Sequence, residues 1–127
     1  EGVLINFFSE GDQNLFEESA ENSPVLSKYG IMALDSVGTL LARYNLNNGK
    51  GSPIEITGHT PEGISDPWAM SANQSAVVFD HILNSGVQES QVVKIIGAGD
   101  TTLLDPEQPE DIKNRRFEIL IRTKPEE

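Results

Sequence analysis

Ile54-Glu55-Ile56-Thr57-Gly58-His59-Thr60-Pro61 gathers the side chains best suited to hold a small polar ligand. Ile54 and Ile56 alternate with Glu55 and Thr57, as a half-buried strand requires. Gly58 allows close approach of the backbone. His59 and Thr60 bring donors and acceptors to the strand's C-terminal end, where open α/β sheets bind ligands. Pro61 is the awkward member, because it removes a backbone donor and holds Thr60 extended. Other chemistries find less support. His59 and His81 lack metal-ligand spacing. Asp100, Asp105, Glu107, Glu110 and Asp111 lie in an acidic loop without the spacing or pivotal glycine of a calcium site. There is no nucleophile–base pair at telling spacing and no phosphate-cradling glycine loop, so neither an enzyme nor a resident metal or cofactor is expected.

The elements that must carry this turn follow from periodicity. Val3 to Phe8 reads as a short strand, and Leu15 to Glu21 has no clear assignment. Ser23-Pro24 is a helix start, with serine as cap and proline at the first helical position. Ile31, Leu34, Val37, Leu41 and Tyr44 then mark one face, and Gly38 on that face suits close packing on a sheet. Asn45 to Ser52 is the loop before the central strand. Asp66-Pro67 opens a second helix, which runs to Ser85 with Gly86 as left-handed cap. It carries two stripes: Trp68, Ala72, Ser75, Phe79 and Ile82, and beside them Met70, Gln74, Val77 and His81. Two mixed stripes fit either one broad buried face or a second, binding or dimer surface. Val92 to Ile96 is a nearly continuous apolar run, as for a strand covered on both faces, and Gly97-Ala98-Gly99 closes it. A last strand spans Asn114 to Thr123, followed by a tail. The order is βαβαββ, with the last strand expected antiparallel to one of the others.

Composition bounds the partners. At 127 residues the chain suits one domain. A net charge of −11 argues against nucleic acid and anionic membrane surfaces. No cysteine is present, which excludes disulfides and thiolate chemistry. No apolar run reaches the ~20 residues of a membrane span. Since the chain opens at Glu1, it is expected to be a fragment of a longer, anchored protein.

Several of these segments also fall in one recognisable order. Thr57-Gly58-His59-Thr60, Met70-Ser71-Ala72-Asn73-Gln74-Ser75, Gly86-Val87, Gly97-Ala98-Gly99 and Asn114-Arg115-Arg116-Phe117-Glu118-Ile119 together resemble the OmpA C-terminal/MotB-like peptidoglycan-binding domain. Leu15 to Glu21 is similar to that family's F-D-x-x-S-A-x-L entry. Trp68 ahead of Met70-Ser71, and the long acidic loop, resemble its flagellar stator branch. The resemblance covers nearly the whole chain and is most specific in the Asn114-Arg115-Arg116 strand.

The resemblance implies an α/β (α+β) sandwich, OmpA-like, with two main helices on one mixed four-stranded sheet. It also implies noncatalytic, noncovalent binding of peptidoglycan in the periplasm through the diaminopimelate of the stem peptide. In the family an aspartate after G-H-T meets the ligand's ammonium, and an arginine on the second helix grips its carboxylate. Here those positions hold Pro61 and Gln74. Losing one charge-assisted hydrogen bond forfeits roughly 1.5–3 kcal/mol, so losing both should leave the binding weak or altered. The pocket positions are Thr60, Pro61, Glu62, Gln74, Asn114, Arg115 and Arg116. Glu62 could supply a carboxylate from one place further on, or be a solvated loop acid. Arg115 and Arg116 could meet an anionic ligand, or pair with neighbouring acids. Gln74 could hold a neutral amide or sugar, or face the surface. The expected partners are therefore peptidoglycan or, alternatively, an envelope protein or a second copy in a homodimer, in a stator-like motor or envelope assembly.

Overall fold

The computed structural model describes residues 2–17, 24–43 and 52–122. Its elements are β1 (Gly2–Phe8), α1 (Lys28–Arg43), β2 (Ile54–His59), α2 (Pro67–Asn84), β3 (Val92–Gly97) and β4 (Arg116–Arg122), with single 3-10 turns at Glu89–Gln91 and Ile112–Asn114. This is the βαβαββ order expected. The sheet runs β1-β4-β2-β3. Strands β2 and β3 are parallel, as their helical crossover demands. Strand β4 is antiparallel to both neighbours, β1 and β2, and separates those two strands.

Both helices lie on one face of the sheet, and the core between the layers is set by alternation. Ile54 and Ile56 on β2, and Phe117, Ile119 and Ile121 on β4, are buried against Leu34, Val78 and Ile82 of the helices. Phe117 stacks on Phe7 with ring centroids 4.6 Å apart and meets Phe16 edge-on at 6.0 Å. Leu15 and Phe16, whose segment the periodicity left unassigned, are fully buried. They sit in a small bridge that pairs Phe16 with Leu26.

Helix α1 begins later than Ser23-Pro24 predicts. Its cap is Ser27, whose hydroxyl accepts from the Gly30 amide at 2.9 Å. Ser23, Tyr44, the loop over 45–51 and the tail over 124–127 lie outside the described residues. Leu34, Gly38 and Leu41 form the buried face, while Ile31 is exposed. Gly38 packs against the end of α2 rather than the sheet: a Cβ there would lie 2.8 Å from Ser85 Cβ.

Helix α2 is capped at both ends. Asp66 accepts from the Ala69 amide at 3.2 Å. Past Ser85, Gly86 takes φ 102 as expected. The Gly86 and Val87 amides donate to the Leu83 and Ile82 carbonyls, and Val87 packs with Ile82 in the core. The two stripes prove to be the flanks of one buried face, comprising Met70, Ser71, Gln74, Ser75, Val78 and Ile82. Trp68 and Ala72 lie outside it and are exposed.

Strand β3 corrects another expectation. It is an edge strand, and Val93 and Ile95 are exposed rather than covered on both faces. An apolar run alone does not distinguish a central strand from an edge one. Among the described residues no helix covers the other face of the sheet. Its open face carries ion pairs instead, with Arg122 to Glu55 at 2.5 Å and Arg116 to Glu118 at 2.6 Å.

Candidate functional site

The site forms where β2 ends beneath the first turns of α2. Gly58 and Gly97 are register partners on the parallel strands. A Cβ on Gly58 would collide with the Ser71 carbonyl, and one on Gly97 would sit 2.7–2.9 Å from Ala72. These two glycines let the helix lie directly on the strand ends. Two serines then stitch the layers. Ser75 donates to the Ile96 carbonyl at 2.8 Å, and Ser71 accepts from the Gly99 amide at 2.9 Å.

Thr60 leaves the strand almost wholly buried. Its amide donates to the Gly99 carbonyl at 2.9 Å, while its hydroxyl is buried without a hydrogen-bond partner. Pro61 is buried beside it. Glu62 is exposed, and its amide donates to the Pro109 carbonyl at 2.8 Å, which ties the turn to the acidic loop.

Gln74 is fully buried, contrary to the surface-facing alternative. Its Nε2 donates to the His59 carbonyl at 3.0 Å, and its Oε1 accepts from Arg115 Nε at 3.2 Å. Arg115 lies over the Phe16 ring, 5.2 Å from its centroid, in cation–π geometry. Thr60, Pro61, Gln74 and Arg115 are therefore brought together, linked through His59's backbone.

Arg116 and Asn114 are not part of that cluster. Alternation along β4 turns Arg116 to the open face of the sheet. There it donates to Asn6 Oδ1 at 3.0 Å, Glu118 at 2.6 Å and the Thr102 carbonyl at 2.9 Å. The His59 imidazole is on the same side, 3.1 Å from Glu118. Burial pulls His59 below its ordinary pKa, aided by Arg116, and outweighs the opposing hydrogen bond to Glu118. Burial alone would raise Glu118, but hydrogen bonds from Arg116 and His59 win and hold it low. Asn114, fully buried, organises the acidic loop. Its Oδ1 accepts from the Asp105 amide at 2.8 Å, and its Nδ2 donates to the Gln108 carbonyl at 2.9 Å. The loop's acids act as local caps: Asp105 accepts from the Glu107 amide and pairs with Lys113 at 3.3 Å, and Asp111 accepts from the Lys113 amide. Among the described residues no cluster of three metal-ligating side chains forms.

Reasoning from sequence missed Phe16 and Ser71 as parts of this site. Phe16 had no usable periodicity. Ser71 carried no local signal, because its role lies in accepting from the Gly99 amide, 28 residues away.

No protein-family model matches the chain. It is 32% identical, over 98% of its length, to an Escherichia coli K12 chain provisionally named truncated flagellar export/assembly protein LafU, and spans 57% of that relative. Among solved structures, the periplasmic domain of Helicobacter pylori MotB (residues 97–256) aligns with TM-score 0.75 at 17% identity, covering 98% of this chain and 84% of that one. The OmpA-like domain of FopA1 from Francisella tularensis aligns at 0.69 and 16%, covering 94% and 73%. The cell wall anchor of the T6SS from Pseudomonas aeruginosa aligns at 0.70 and 15%, covering 95% and 81%.

Proposed function

The chain is an OmpA/MotB-like domain in fold, and from that premise we propose that it is a noncatalytic, periplasmic, cell-wall-associating module of a flagellar-motor or envelope protein whose peptidoglycan contact is weakened or altered. The observation that carries this reading is the state of Gln74. The frame of the pocket is intact, with Gly58, Gly97 and Gly99 holding α2 on the strand ends. Yet both ends of the Gln74 amide are used inside the protein, on His59 and Arg115. Pro61 offers no carboxylate for an ammonium. Arg115 is the cation that bonds the pocket's Gln74 and lies over Phe16. Such a site favours a ligand that presents a carboxylate or amide over one that needs both of its charges matched.

Retention on purified diaminopimelate-type sacculi tests the reading. Weak, salt-sensitive retention is expected, and strong diaminopimelate-dependent retention would overturn it.

A second reading, a domain kept for self-association or protein contact, has one observation in its favour. Val3, Ile5, Val37, Leu40, Leu41 and Ile121 line an apolar groove between β1 and α1. Sedimentation decides between the two: a strictly monomeric species at high concentration removes the homodimer.

A further inference from the structure

The sheet ends in β1 on one side and β3 on the other, and the two edges differ. Strand β1 carries no charged residue and borders the apolar groove that favours self-association. Strand β3 has no ladder on its outer side among the described residues. The Ala98 amide donates to the Gly58 carbonyl across the β2–β3 pair, so alternation turns the backbone N–H and C=O of Ile95 and Gly97 outward. Such a row of backbone groups is a template for another strand.

The two faces beside this edge are unlike. On the helix side, Ile95 is the register partner of Ile56 and is 44% exposed. Trp68, Ala72 and Ala76 follow at steps of four along the exposed flank of α2, and a Cβ on Gly97 would run into Ala72. The two alanines leave a shelf above the strand edge, closed at one end by the Trp68 ring over Gly99. On the open side, a register shift after Ile54 skips Val93 and sets Lys94 opposite Glu55. Pro53, Glu55, Val93, Lys94 and Arg122 line a cleft there of about 260 Å3. Arg122 already engages Glu55, so Lys94 gives the cleft a surplus positive charge within a chain of net charge −11.

We propose that the β3 edge receives an extended segment of a partner protein by strand addition, with apolar side chains at alternate positions on the α2 shelf and an acidic side chain between them in the Lys94 cleft. Backbone pairing supplies the affinity and the two faces supply the selection. The period of two in the incoming strand sends its apolar residues to Ile95, Ala72 and Ala76, and its acid to Lys94. A helical partner would leave the outward N–H and C=O groups unpaired. A second copy of β3 offers Lys94 and no acid, so self-pairing brings like charges together.

Selection of a displayed library of random short peptides on the whole chain tests this. The expected winners alternate apolar residues around an aspartate or glutamate. Made synthetically, such a winner should change the emission of Trp68, the only tryptophan in the chain. Its affinity should fall about tenfold or more against Lys94→Glu, and equally when its alternate amides are N-methylated. Position 94 is exposed, and a thermal melt establishes that the variant is folded. Selection on Lys94→Glu should exchange the acid for lysine or arginine. Absence of an alternating consensus, or winners indifferent to Lys94→Glu or to N-methylation, overturns the proposal. So does concentration-dependent protection of the Ile95 and Gly97 amides from hydrogen exchange in the free chain, which would show the edge covered by a second copy.

Discussion

Arg115 on the approach to β4 donates its Nε–H to Gln74 Oε1 on α2, 3.2 Å away, and the other end of the same amide donates to the His59 carbonyl on β2. One neutral side chain thereby joins three elements at the point where a ligand-gripping arginine is expected. Gln74→Ala removes the donor to the buried His59 carbonyl and one acceptor of Arg115. It should cost about 1–3 kcal/mol, read as a lower urea midpoint.

Installing the two charges of the domains that the chain resembles tests the pocket directly. Pro61→Asp combined with Gln74→Arg should raise sacculus retention by roughly ten- to a hundredfold. Since position 74 is fully buried and already faces Arg115, the gain should come with a lower melting temperature. A double variant that binds no better shows that the pocket has diverged beyond these two residues.

Gly58→Ala would drive a methyl group into the Ser71 carbonyl, which is helix backbone and has nowhere to go. Overpacking of this kind costs about 1–3 kcal/mol. Thermal unfolding should show it, and Trp68 emission should change as the first turns of α2 lift.

Asn114→Ala removes the amide that holds the Asp105 amide and the Gln108 carbonyl. The prediction is accelerated proteolysis within residues 100–111, together with a loss of about 1–3 kcal/mol. Mass mapping of the first cuts distinguishes local loosening from global unfolding.

Acid sensitivity should appear in two steps. The folded pKa of His59 lies below the ordinary 6.5 and that of Glu118 below 4.5, so in both cases the unfolded chain binds protons first. Stability is then fully present above 6.5, falls as pH drops through the folded His59 value, and falls again below 4.5. His59→Gln should flatten the upper step of the urea midpoint against pH and leave the lower one.

Much of the layout was legible in the sequence, for identifiable reasons. Alternation at Ile54, Ile56, Phe117, Ile119 and Ile121 states which face of each strand is inside, and Asp66-Pro67 and Gly86 bracket α2. What stayed hidden depends on neighbours distant in sequence. Val92 to Ile96 reads as a central strand, because nothing local says that the sheet stops there. Gln74 reads as surface, because its burial is compensated by His59 and by Arg115, 41 residues away. Arg115 and Arg116 read as a pair, yet the pleat sends one towards the pocket and the other into the ion pairs behind the sheet.

The pairing of β1 with β4 has a consequence for how the molecule comes into being. Gly2 lies opposite Arg122, so the first of the described strands in chain order pairs with the last of them. That late strand also supplies the middle of the sheet, between β1 and β2. Until it emerges, β1 has no ladder and the β2–β3 pair has one bare edge. Productive folding of this sheet must therefore wait for β4, with the slow kinetics of long-range pairing, and loss of that strand would unzip two ladders at once.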